Sequence, residues 1–319
     1  MQNQEKLIRE IRNRVRESVS LIDELASVLE ISYDAAHRRL SMKSKFTIEE
    51  AVRLCAYYKL SMDSLFVQPG KVIAEKTAEI RSLADMETYL KQSLDNISPF
   101  AALPGAQMYY SSKDIPLFYT IGGTMLSKFK LYVWLTLLSG NNNPGSFEGF
   151  AVTTAMQQYG QALKAVYNAL EVHEIWNDTT INSTLQQVYY FYRSGLLTLN
   201  NVLLLLADLE KLLQTVEDKC SDNTGRYHLY YNELLILNNN VLITAPQQHA
   251  LFVPYTMLGY FITADGETCA HAATFFKQQL KNSMALNTSG TRDRKVFFNR
   301  AAQKISHYRE RMKGDPDFF

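Results

Sequence analysis

Over the first 66 residues, apolar positions recur every three or four residues in short bursts, each opened by a capping residue, which predicts five short helices. Ser20 stands three residues before Asp23 at the start of one burst, Leu21 to Leu29. Ser32 precedes the next, in which Ala36 and Leu40 share a narrow face. Thr47 and Glu50 have capping-box spacing ahead of Val52, Leu54, Cys55 and Tyr58, and Ser61 opens a last turn to Leu65-Phe66. Only Glu30-Ile31-Ser32 separates the second helix from the third, and Ala26, Ala35 and Ala36 are small enough for a close crossing. Pro69-Gly70 then breaks the pattern.

A heptad-like stripe follows from Lys71 to Ile97, through Ile73, Ile80, Leu83, Leu90, Leu94 and Ile97. It predicts a helix that either packs on the chain's own body or dimerises as a coiled coil. Beyond Ser98 the pattern stays mostly helical to about Cys220, with loops at Pro104-Gly105 and over 140–145. Tyr189, Tyr190, Tyr192, Leu203, Leu206, Leu209 and Leu213 read as core. The apolar runs His228 to Leu237 and Val241 to Thr244, parted by Asn238-Asn239-Asn240, predict a hairpin in a small sheet. From Thr291 to Lys313 the chain returns to helix, with eight Lys or Arg on a face that is either solvated or a second phosphate contact. The expected fold is therefore mainly α. Residues 1–67 form a five-helix domain, 68–98 a connecting helix, and 99–319 a mostly helical α+β body with a small sheet.

Composition narrows the function classes. The 319 residues are 46% hydrophobic and 20% charged, which argues against disorder. With 33 Lys plus Arg against 32 Asp plus Glu, the net charge of +1 excludes a uniformly basic nucleic-acid coat, so any nucleic-acid surface is local. The first twenty residues lack the apolar core of a secretory signal, and every apolar stretch is short of the ~18 residues of a membrane span. Three scattered cysteines, Cys55, Cys220 and Cys269, suit reduced thiols, so a cytoplasmic protein without a membrane partner is expected.

The ordered residues Leu25-Ala26, Ile31-Ser32, Tyr33 to Leu40 and Thr47 to Leu60, ending in Ser61-Met62-Asp63-Ser64-Leu65-Phe66, resemble the phage-repressor-like, or Xre/Cro-type, helix-turn-helix family over residues 4–66. Glu30 and Met42 stand where that family often has glycine, and Phe46 where it often has proline. A left-handed backbone at Glu30 would cost roughly 1 to 2 kcal/mol. The resemblance implies that the second helix of the motif enters the major groove of double-stranded DNA. With Ala36 and Leu40 turned inward, Tyr33, Asp34, His37, Arg38 and Ser41 face outward, and Lys43, Ser44 and Lys45 extend that surface. Arg38 suits guanine, Asp34 cytosine, and Tyr33 a phosphate or thymine methyl, while Arg39, Lys43 and Lys45 suit phosphate. Residues 1–67 hold only 11 basic against 10 acidic side chains, so this cationic cluster is local.

No phosphate-binding loop, dinucleotide fingerprint or catalytic constellation occurs over 99–319. His173-Glu174-Ile175-Trp176-Asn177 begins like a zinc-protease helix but has Asn where the second histidine would stand, and Cys269 with His271 is one pair alone. Asn287 to Arg292 reads as the capped start of a helix, with an anion site as the alternative. The expectation is a non-enzymatic, sequence-specific transcriptional regulator without a cofactor. It would be a homodimer whose body dimerises or senses an unidentified small-molecule, peptide or protein effector. The alternative is a protein-docking scaffold whose helix-turn-helix no longer binds DNA.

Overall fold

Residues 2–15, 19–66, 70–140, 145–222, 225–235 and 237–314 are described by a computed structural model, in which the chain forms two units, 1–73 and 74–319. The first unit is built from α1 (Gln2–Arg12), α2 (Leu21–Leu29), α3 (Tyr33–Leu40), α4 (Ile48–Tyr57) and α5 (Met62–Phe66). Its core gathers one face of each of the first four: Leu7 and Ile11 from α1, Leu25 and Leu29 from α2, Ala36 from α3, and Leu54 and Cys55 from α4. Burial raises the Cys55 thiol pKa, as suits a packing residue. The cap at Ser20 and the box at Thr47 and Glu50 form where the spacing predicts them.

The second unit is α+β. In chain order it contains β1 (Glu75–Lys76), α6 (Leu83–Ala101), β2 (Gln107–Ser111), α7 (Met125–Leu138), α8 (Thr154–Ala169), β3 (Glu171–Trp176), α9 (Asn182–Arg193), α10 (Leu199–Ser221), β4 (Tyr227–Tyr231), β5 (Val241–Ala245), β6 (Gln248–Pro254), β7 (Tyr260–Thr263), α11 (Gly266–Lys281), β8 (Met284–Ala285) and α12 (Thr291–Lys313). The strands make one mixed sheet in the order β1-β7-β6-β5-β2-β3-β4-β8. β2, β3 and β4 are parallel, joined by helical crossovers, and the remaining pairings are antiparallel.

Strand alternation divides the unit into two cores. Met108, Tyr110, Val172, Trp176, Leu229 and Ile243 face the large core shared with α6 to α10 and α12. Tyr109, Ile175, Leu242 and Leu251 face the other way, onto Cys269 and Phe276 of α11.

Several expectations are corrected. The sheet has eight strands rather than a small hairpin, because β4 and β5 lie on opposite sides of the β2–β3 pair and Asn238 to Asn240 do not join neighbours. Hairpins form instead at β5–β6, with Ala245 paired to Gln248, and at β6–β7, with Pro254 paired to Tyr260. The helix expected over 68–98 starts only at Leu83: Glu75 and Lys76 pair with β7, and Thr77 donates its N–H to the Tyr260 carbonyl. Residues 67–69 lie outside the described residues. Past Leu83, which is 40% exposed, the apolar stripe of this helix packs inward, with Leu90 and Ile97 buried and α6 seated on α8, so it is not a free coiled-coil seam. Tyr190, read as core, is 64% exposed. α12 spans the residues expected, but its cations are partly engaged: Arg309 pairs with Glu210 at 2.7 Å and Arg311 lies over the Tyr189 ring. Among the described residues no helix is long and apolar enough to cross a membrane.

Candidate nucleic-acid interface

The turn between α2 and α3 follows from two local devices. Glu30 adopts the left-handed conformation (φ 56°, ψ 42°), and the Ile31 N–H donates back to the Ala26 carbonyl at 3.0 Å, which ends α2. Ser32 then caps α3 by accepting the Ala35 N–H at 3.3 Å. Met42, just past α3, is also left-handed (φ 62°), so both positions take the backbone that glycine takes at least cost.

Most of the expected surface is open. Tyr33 is 54% exposed, and Asp34, His37, Arg38 and Ser41 are exposed along the same helix and its cap, while Ala36 is fully buried behind them. Lys43 and Lys45 are exposed in the loop that follows. Two residues depart from expectation. Arg39 is not a free phosphate ligand: its guanidinium holds both oxygens of Glu50, at 2.7 and 2.8 Å, in a half-buried fork that ties α3 to the start of α4. Ser44 turns its hydroxyl inward, where it is buried without a hydrogen-bond partner. The free charge is therefore Arg38, Lys43 and Lys45 against Asp34. Hydrogen bonding from Arg39 holds the Glu50 carboxyl below its ordinary pKa.

Gln4 was not foreseen. From α1 its amide nitrogen donates to the Arg39 and Ser44 carbonyls, both at 2.9 Å, and its oxygen accepts the Phe46 N–H at 3.1 Å. This one side chain clamps both ends of the loop that carries Lys43 and Lys45. Its partners are at least 35 residues away in sequence, so no local pattern announces it.

Among the described residues of the second unit, three polar clusters contain a buried ionisable side chain or adjoining histidines. Fully buried Glu174 accepts from Tyr167 (2.5 Å), Trp176 (2.8 Å) and Tyr227 (2.9 Å), and Lys219 lies over the Tyr167 ring at 4.8 Å. Burial raises the Glu174 pKa and lowers that of Lys219. Lys130, also fully buried, donates to Asp114, Thr184 and Gln187. The third cluster joins Glu171, His173 and His228 on the α11 side of the sheet. Burial, with His228 beside it, pushes the His173 pKa down to about 4. His173 lies in a strand, so the zinc-helix pattern does not apply to it. Asn287 donates its amide to the Cys220 and Tyr227 carbonyls, and α12 begins at Thr291, after Gly290, without the side-chain cap expected there.

Compared with family models, curated proteins and solved structures, the chain matches none.

Proposed function

We propose that the chain is a sequence-specific DNA-binding transcriptional regulator of helix-turn-helix type, with α3 in the major groove and the unit 74–319 serving dimerisation or effector sensing. One juxtaposition supports this reading: α3 buries Ala36 while it turns Tyr33, Asp34, His37 and Arg38 outward, and the next loop adds exposed Lys43 and Lys45. Arg38 donates a bidentate pair to guanine, and Asp34 accepts from cytosine. Lys43 and Lys45 contact phosphate and fix the register. An eight-residue helix reads only a few base pairs, so the working unit is a homodimer on half-sites about 34 Å apart. Three free, buried cysteines suit the reducing cytoplasm.

A protein-docking module is the second reading. It draws on Ile48 (76% exposed) and Val52 (51% exposed), one turn apart on α4, which together offer an apolar contact. The variants Arg38→Ala and Lys45→Ala separate the two readings. For a DNA reader, Arg38→Ala costs about 1 to 3 kcal/mol of duplex affinity and relaxes one base preference, while Lys45→Ala weakens all sequences alike. Equal duplex binding by wild type and both variants contradicts the proposal.

A further inference from the structure

Of the three polar clusters described above, two are closed on themselves. Glu174 is met by phenol and indole donors, and the Lys130 ammonium by three oxygens. The third is not. In it a single oxygen of Glu171 serves two imidazoles, at 3.1 Å from Nε2 of His173 and 3.5 Å from Nε2 of His228, and the buried Nδ1 of His173 has no hydrogen-bond partner.

Sheet geometry brings these donors together. Glu171 and His173 are two residues apart on β3 and so share a face. His228 is the register partner of His173 on the parallel neighbour β4. The three donor atoms lie within 4.8 Å of one another. Ligands about 2.0 to 2.2 Å from a tetrahedral zinc ion stand roughly 3.3 to 3.6 Å apart, and the Glu171 oxygen lies 3.1 Å from the His173 nitrogen and 3.5 Å from that of His228, so small shifts bring both into range.

We propose that Glu171, His173 and His228 bind a divalent transition-metal cation of the zinc type. Two imidazoles and a carboxylate are the donor set such ions take, and three protein ligands leave a fourth position for water or an exogenous ligand. The Glu171 and His228 side chains are 35% and 28% exposed, which gives the ion a path from solvent. The wall behind His173 is rigid: the Tyr109 ring stacks on it at 4.9 Å, with Phe276 of α11 against Tyr109. The His228 ring now lies parallel to that of His173, and its Nε2 is 2.9 Å from the Gly225 carbonyl. Metal binding turns His228, the more exposed of the two, away from that carbonyl so that the two lone pairs converge. The site is independent of the DNA-binding reading and stands or falls separately.

The test uses the full chain, stripped with a chelator and titrated with Zn2+ by calorimetry and with Co2+ by visible absorption. One ion per chain is expected, with Co2+ bands of tetrahedral intensity. His228→Ala and Glu171→Gln should each weaken Zn2+ binding roughly 100-fold, whereas His307→Ala, at an exposed histidine of α12, leaves it unchanged. Zn2+ should also raise the melting temperature of wild type and not of the two site variants, and circular dichroism without metal verifies that those variants fold. If either misfolds, His228→Gln replaces it. No Zn2+ uptake by wild type, or unchanged uptake by correctly folded site variants, overturns the proposal.

Discussion

The outward residues of α3 are legible from a single pattern, because Ala36 and Leu40 define the inner face and helical geometry places the rest. The fate of Arg39 is not legible that way: Glu50, which neutralises it, lies eleven residues on, across a loop. The consequence is a stability effect with a defined sign. The Glu50 pKa is depressed in the folded state, so the pair contributes stability above the ordinary carboxylate pKa of 4.5 and loses it as pH falls through the lower folded value. Hydrogen exchange of the α3 and α4 amides measured at decreasing pH should show this loss, and Arg39→Ala should flatten it; a variant with the wild-type pH profile would refute the pairing. Gln4 gives a second prediction. Gln4→Ala leaves every proposed DNA-contacting side chain in place but frees the loop, and reordering costs about 0.5 to 1.5 kcal/mol per side chain, so duplex affinity should fall roughly two- to tenfold. Fluorescence anisotropy checks this, and unchanged affinity would mean that the loop contributes nothing to binding.

Among the elements, helices with strong caps follow the sequence closely, and the sheet does not. β2 and β3 are covered on both faces, so Gln107–Ser111 and Glu171–Trp176 lack the clean alternation of a half-exposed strand and read as parts of helices. His173 reads in the sequence only as the start of an incomplete zinc-helix pattern, and it is strand register that sets His228 beside it. The stripe on α6 misleads in the opposite sense, since the spacing that makes a coiled-coil seam also makes the inner face of any amphipathic helix. Leu90 is 1% exposed within the core, so Leu90→Ala should destabilise the second unit by about 2 to 5 kcal/mol without changing oligomeric state. Chemical denaturation and light scattering on the same sample test both halves of that statement. A variant that stays stable but shifts to monomer would restore the coiled-coil reading.

At the scale of the molecule, a small helical unit carries a local basic surface, while the larger α+β unit is far bigger than a spacer needs to be. Residues 99–319 hold 18 basic against 17 acidic side chains, so this near-neutral region adds little nonspecific attraction to DNA. On the proposed function, its influence on operator affinity would run through dimer geometry or a bound effector, and such coupling would be reciprocal: an effector that tightened DNA binding would itself be bound more tightly by the DNA complex. All of this depends on the first unit reading sequence. The most direct measurement is selection of bound duplexes from a random pool by the full chain, followed by salt titration of the winner. The account predicts enrichment of a repeated half-site and a steep loss of affinity with salt, with a log–log slope of about −0.9 for each phosphate neutralised. A pool that emerges without enrichment, or binding that ignores salt, would contradict it.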